Sequence, residues 1–416
     1  MLSIVSAANA ASISTIASNT TYHALRSFGS AIYDSATNRT FVTYSGPEMD
    51  VYARAYNHSS NSWEMAVKIY DWNDSSTYAY HDYPTMVLLP DGKLGIFIVD
   101  HTTAAYLIKS PNTHSLVGTW TRTKISDDKN AYPMPIVSGS TVYLFYSKND
   151  DVSYPYRTYR YIKSTNSGAT WSSPVTVIDS GKTADRFNEV YAFGVVEKEG
   201  KIYITWRMSG GTGGHNHASR NLYLAYLNTA DGVMYNAGGT SMGNVVDSPD
   251  LSSCLVVNAA PDTTSTNPHA RHPISNPVPA LTSDNKVVVG FGQYMNGNRT
   301  IRLASYNAGA WTVQTADSSA SSFMDLAKSG TGTNEFEIMY LAQGGNSVIS
   351  KRTTNLGSSW TTLSNLSVPY ASNADTTIYV NYVENLSTIH AIGATINNAE
   401  RQTDYTGKWN VFAIRQ

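Results

Sequence analysis

One turn recurs along the chain and restricts its fold more than any other feature. Ser164-Thr165-Asn166-Ser167-Gly168-Ala169-Thr170-Trp171 returns as Thr353-Thr354-Asn355-Leu356-Gly357-Ser358-Ser359-Trp360, and more loosely as Ser305-Tyr306-Asn307-Ala308-Gly309-Ala310-Trp311. A short polar side chain and a glycine close such a turn, and the tryptophan behind it packs on the neighbouring sheet. Aromatic residues after comparable turns stand at Trp63, Trp120, Trp171, Tyr235, Trp311, Trp360 and Trp409. They lie roughly fifty to seventy-five residues apart, room for four short strands in each interval. Between them, β-branched and aromatic runs flank tight turns. Met86 to Leu89 and Leu94 to Val99 surround Pro90-Asp91-Gly92, and Tyr191 to Val196 and Ile202 to Trp206 surround Glu199-Gly200. Such pairs read as antiparallel hairpins.

The pattern predicts an all-β fold, a seven-bladed β-propeller with four antiparallel strands per blade. The last unit supplies only three strands, Thr377 to Tyr382, Thr388 to Thr395 and Trp409 to Ile414. Ile13 to Asn19 is therefore expected to close the last blade, removing an open edge. Residues 13–416 are read as a single domain. Residues 1–12, with their Ala8-Asn9-Ala10 triplet, are read as a signal-peptide remnant or a disordered start.

Composition narrows the function. A net charge of -2 with only 14% charged residues lacks the footprint of a nucleic-acid binder or a membrane-surface protein. No apolar run is long enough to span a bilayer. A single Cys254 excludes an intramolecular disulfide framework and a cysteine-based zinc site. Few charges and many Tyr, Asn, Ser and Thr suit a secreted protein acting as a monomer, and sequons such as Asn38-Arg39-Thr40 agree.

Candidate chemistry collects at one end of the strands. Pairing across the hairpin closed at Asp91-Gly92 sets His81 almost opposite His101. Counting from the turn glycines, His101 comes nine residues after Gly92, Tyr146 seven after Gly139, and Arg207 seven after Gly200. All three are expected on one rim, in adjacent blades. The next strands begin there with their own cations, Arg157 and Arg160, then Arg220; His215 and His217 follow the Gly-rich loop. A histidine pair, a tyrosine and several arginines suit an anionic substrate and proton transfer. His23, His58, His114 and His390 are read as structural. His269 and His272 beside Arg271 are either part of a site or a cap on a blade.

At these residues the sequence resembles the BNR-repeat propeller lyases that act on uronate-containing polysaccharides. The recurring turn is a degenerate form of their Asp-box. His81 to Ser110 resembles their histidine-bearing hairpin, and Ile204-Thr205-Trp206-Arg207 with Arg220-Asn221-Leu222-Tyr223 resembles their later arginine-bearing blade. In detail the chain is similar to fungal L-rhamnose-α-1,4-D-glucuronate lyases, which act on gum arabic and arabinogalactan side chains; ulvan lyases are relatives. The resemblance implies β-elimination, with His101 and Tyr146 as acid and base, His81 beside them, and Arg160, Arg207, Arg220 and His217 binding the substrate. Where ulvan lyases carry a carboxylate-binding arginine past the tyrosine, this chain has Ile162, and Arg160 could substitute. No metal or cofactor is required, and a structural calcium stays open. The competing expectations are a glycoside hydrolase, either sialidase-like or a rhamnosidase on the opposite face, and a non-catalytic sugar-binding propeller.

Overall fold

The computed structural model describes residues 11–20, 29–72, 83–99, 103–151, 154–329, 332–368, 376–383, 388–397 and 409–415. Strands dominate; the described helical segments are one or two short turns, such as Pro268–Arg271. The predicted hairpins form where the turn glycines allow. Gly92 and Gly200 adopt positive φ, the region a side chain disfavours. Thr85–Leu88 pairs with Lys93–Val99, and Glu189–Lys198 with Lys201–Gly210.

Hydrogen bonding groups the strands into five sheets. Three are short meanders: the one beginning Ala31–Asp34, the one from Thr85–Leu88 to Thr121–Ser126, and the one holding the chain's last strands. The other two have nine and seven strands. The nine-stranded sheet is two meanders joined by one parallel pair, Arg157 with Glu189. In the seven-stranded sheet, Ala310–Lys328 runs 19 residues, pairing first with Asn298–Asn307 and then with Phe336–Ala342. Ser12–Thr20 pairs antiparallel with Trp409–Arg415 and so joins the C-terminal sheet.

All five sheets contribute to one channel of about 730 Å³. Its wall comes from Ala31–Asp34, Thr85–Leu88, Asn130–Ser138, Glu189–Lys198, Ile274–Leu281, the later half of Ala310–Lys328, and Thr376–Tyr382. The core lies between the sheets, because alternate residues of each strand face opposite neighbours. In Thr141–Asp151, Tyr143 and Phe145 pack with Trp206 and Met208, whereas Val142, Leu144 and Tyr146 pack with Val87, Phe97 and Leu107. Burying a side chain like Phe145 contributes about 2–3 kcal/mol.

The two matched turns are closed by the same bonds. Ser164 Oγ accepts from the Gly168 amide at 2.9 Å and Asn166 Oδ1 from the Thr170 amide at 2.9 Å. Thr353 Oγ1 and Asn355 Oδ1 do the same for Gly357 and Ser359, at 2.8 and 2.9 Å. Trp171 then meets Phe97 edge-on at 5.8 Å. The looser third match differs: Asn307 pairs with Ala310 in a plain two-residue hairpin, and Trp311 rests on Tyr306.

Candidate active site at one end of the strands

Three inner strands begin at Asn130, Glu189 and Ile274, and the strands paired to them end at Asp151, Gly210 and Met295. These points define one end of the fold. Tyr146, Arg160, Arg207, His217 and Arg220 all lie near it. His81 and His101 lie outside the described residues.

Tyr146 and Arg207 share this end but face opposite ways. Tyr146 points toward the sheet of Thr85–Leu88, with Leu144 and Val142. Arg207 points toward Ile274–Leu281, donating from Nη1 to the Ile274 carbonyl at 2.8 Å. The cause lies in the turns. Ser138 pairs with Thr141, so Gly139 is the first of two turn residues; Lys198 pairs with Lys201, so Gly200 is the second. Equal counts from the two glycines therefore differ by one residue, which reverses the face.

Around Tyr146 the charges are balanced. Its hydroxyl donates to Asp128 Oδ2 at 3.0 Å, and Arg160 donates to the same oxygen at 3.2 Å and to Asp150 at 3.2 Å. Lys148 adds an ion pair to Asp150 at 2.8 Å. Burial, and then the Asp128 carboxylate, push the Tyr146 pKa well above the usual phenol value. The hydroxyl is held protonated and donates to Asp128, in a side chain that is fully buried.

Beneath this end the inner strands pack a buried aromatic floor of Tyr83, Tyr132, Tyr191 and Phe193. Arg157 stacks 5.3 Å from the Tyr191 ring and Arg207 4.9 Å from Phe193. Arg157 is buried, its Nε 3.3 Å from Glu189 Oε1. Glu189 is fully buried, and both of its oxygens are engaged by the loop that follows Gly210: His215 Nδ1 meets Oε1, and the Asn216 amide donates to Oε2 at 2.7 Å. Arg220 pairs with Asp185 at 2.6 Å and stacks 4.6 Å from Phe187.

Beyond Arg207 positive charge accumulates. Arg299 is buried, donating to the Pro273 carbonyl at 3.1 Å and to His269 Nδ1 at 2.8 Å, and burial lowers its pKa to about 10. His272, 3.2 Å from Ser219 Oγ, is lowered to about 3, first by burial and then by Arg207, Arg271, Arg299 and His217. His217 Nε2 lies 3.4 Å from the Thr263 carbonyl. Arg271 makes no ion pair with any described carboxylate, and neither does Arg299. Two guanidiniums held close together without a described carboxylate partner, those of Arg271 and Arg299, favour an anion nearby.

Other histidines have structural partners. His58 bridges Thr40 and Thr388 at 2.9 and 2.8 Å, His114 meets Asp34 at 3.0 Å, and His390 meets Glu337 at 2.6 Å. His23 lies outside the described residues. Among the described residues no group of three or more His, Cys, Asp or Glu could hold a metal ion. Sequence reasoning missed Glu189, Arg299 and the aromatic floor. Glu189 could have been noticed as an acid opening the otherwise apolar run to Val196.

The chain belongs to the BNR repeat-containing family, whose profile matches residues 39–318. It is 23% identical over 233 residues to an ulvan lyase of family PL25 from Pseudoalteromonas sp. (strain PLSV), a match covering 49% of this chain and 47% of that protein. It is 25% identical over 233 residues to an ulvan lyase of Alteromonas sp. (strain LOR), with the same coverage. The chain thus spans about half the length of the curated relatives it matches. Among solved structures it is similar to a PL25 ulvan lyase bound to -[GlcA(1-4)Rha3S]-, with TM-score 0.74, 15% identity, and 96% and 94% of the two chains covered. The polysaccharide lyase Uly1 aligns with TM-score 0.61 at 13% identity over 94% and 90%. The fold is accordingly an all-β, propeller-like one.

Proposed function

We propose that this protein is a polysaccharide lyase that cleaves glucuronate-containing glycans by β-elimination, with terminal L-rhamnose-α-1,4-D-glucuronate of gum arabic and arabinogalactan as its substrate. One observation carries the reading: Arg157 and Arg207 stack over an aromatic floor beside Arg271, Arg299 and His272, in a fold similar to that of ulvan lyases. The buried rings hold the guanidiniums in place, and the arginines suit a carboxylate. The glycan bound to the PL25 lyase joins glucuronate to a rhamnose, the same two sugar types.

Neutralising the carboxylate stabilises the enolate-like state formed when C5 loses its proton. Arg207, with His217 and Arg220 at its side, binds the uronate in this reading. Arg160, committed to Asp128 and Asp150, acts through Tyr146 rather than on the sugar. His101 and Tyr146, assisted by His81, exchange protons with the substrate in this reading. The proposed fold count is seven blades, supported by the seven strands that line the channel. The protein is proposed to be secreted, monomeric and independent of a cofactor.

Incubation with gum arabic, while following ultraviolet absorbance and free rhamnose together, tests the function. A lyase produces a conjugated unsaturated uronate as rhamnose appears. Rhamnose without absorbance would mean hydrolysis, and an unchanged glycan that still binds would mean a lectin.

A further inference from the structure

The loop from Gly210 to His217 is built around one buried carboxylate. Gly210 has φ +113°, and a Cβ there would fall 2.3 Å from the Arg186 carbonyl and 3.5 Å from Glu189 Oε2. Only glycine lets the loop pass this closely. Gly211 and Gly214 also hold positive φ. The result is that the Asn216 amide and His215 Nδ1 both reach Glu189, with Arg157 behind it. A buried acid at the start of an inner strand is costly unless it is paired, and here its pairing orients a histidine.

That histidine differs from its neighbours. His217 Nε2 faces a carbonyl, which can only accept, so that nitrogen is a donor. His269 Nδ1 accepts from Arg299, and His272 Nδ1 faces Ser219. His215 alone, among the described histidines at this end, sets Nδ1 on a carboxylate, and its side chain is 53% exposed. A carboxylate accepting from Nδ1–H leaves the lone pair on Nε2, the arrangement of a general base. When the base takes a proton, the same carboxylate stabilises the imidazolium.

We infer that His215, oriented by Glu189, takes the place of His101 as the base that removes the C5 proton of the uronate, an inference that rests on the lyase reading above. The C5–H electron pair becomes the C4=C5 double bond and the C4–O4 bond breaks. O4 leaves with a proton from Tyr146, and no oxidation or reduction occurs. Glu189 is a positioning residue.

The test compares wild type, His215→Asn, His215→Ala and Glu189→Gln on a rhamnosyl-glucuronate oligosaccharide, following the unsaturated product. Asparagine keeps a donor for Glu189 and lacks Nε2. His215→Asn should lower kcat by roughly 10²–10⁴-fold, the usual worth of general base catalysis, with KM within about threefold. Added imidazole should restore part of the His215→Ala rate, and Glu189→Gln should lower kcat without changing KM. An active wild type alongside His215→Asn with kcat within threefold of it would overturn the inference and leave the lyase reading standing. A wild type that forms no unsaturated product would overturn both. Because His215 is exposed, a melting curve matching wild type confirms that the loss is chemical.

Discussion

Glu337 offers a quantitative test of what holds two sheets together. Its carboxyl is fully buried in Phe336–Ala342. It accepts from His390 Nε2 at 2.6 Å, from Arg352 Nη2 and Nε at 2.6 and 3.0 Å, and from Ser329 Oγ at 2.8 Å. Burial alone would raise its pKa, but the bonds from His390, Arg352 and Ser329 outweigh burial and bring it from 4.5 down to about 2. A carboxyl depressed in the folded state contributes stability that is fully present above its unfolded pKa and is lost as pH falls through the folded value. For this shift the contribution at pH 7 is about 3 kcal/mol. Glu337→Gln keeps the shape and removes the charge, so it should cost about that much at pH 7, within the range for breaking a buried pair. Urea unfolding followed by tryptophan fluorescence at pH 7, 4 and 2.5 measures the gap. It should hold near its full value at pH 7 and shrink between pH 4 and 2.5. A gap below about 1 kcal/mol at pH 7, or one that does not change with pH, would refute the reasoning.

Two further outcomes are expected. Gly168→Ala should destabilise by about 1–3 kcal/mol, because Gly168 holds φ +86° and a Cβ would fall 2.4 Å from Leu107 Cδ2; a melting temperature equal to wild type would count against this. His272, lowered to about 3, should show no imidazole titration by NMR from pH 8 to 5, and its buried neutral ring should cost folding stability as pH falls below about 6.5, the unfolded value. A midpoint near 6 would mean that the Arg207, Arg271 and Arg299 cluster does not act on it.

The turns made much of the fold legible. Ser164 to Trp171 and Thr353 to Trp360 carry their closing side chains in the sequence itself, so their geometry follows from residue type. The sharing of Ala310–Lys328 between two meanders was not legible, because its middle, Ala316 to Ser322, is a Ser- and Ala-rich run that reads as a loop. Strand pairing overrides that local preference. For the site, counting from the turn glycines placed Tyr146 and Arg207 at one end of the strands, as the structure has them. It missed the face of Tyr146 relative to Arg207, because a glycine can occupy either turn position while the side-chain period is two. The link between Glu189 and His215 spans a hairpin and the glycine-rich loop after it, and no pattern of spacing announces it.

The pairing of Ser12–Thr20 with Trp409–Arg415 sets the order of assembly. Ser12–Thr20 is made well before Trp409–Arg415 and must wait for it while the strands between them are made. Closing a loop of roughly 390 residues costs about 5 kcal/mol of chain entropy, recovered only when the seam forms. Until then the edge of Trp409–Arg415 and that early strand are both available to other chains, so aggregation competes most with folding at this late step. Once the seam is made both edges are covered, and only its opening exposes them again.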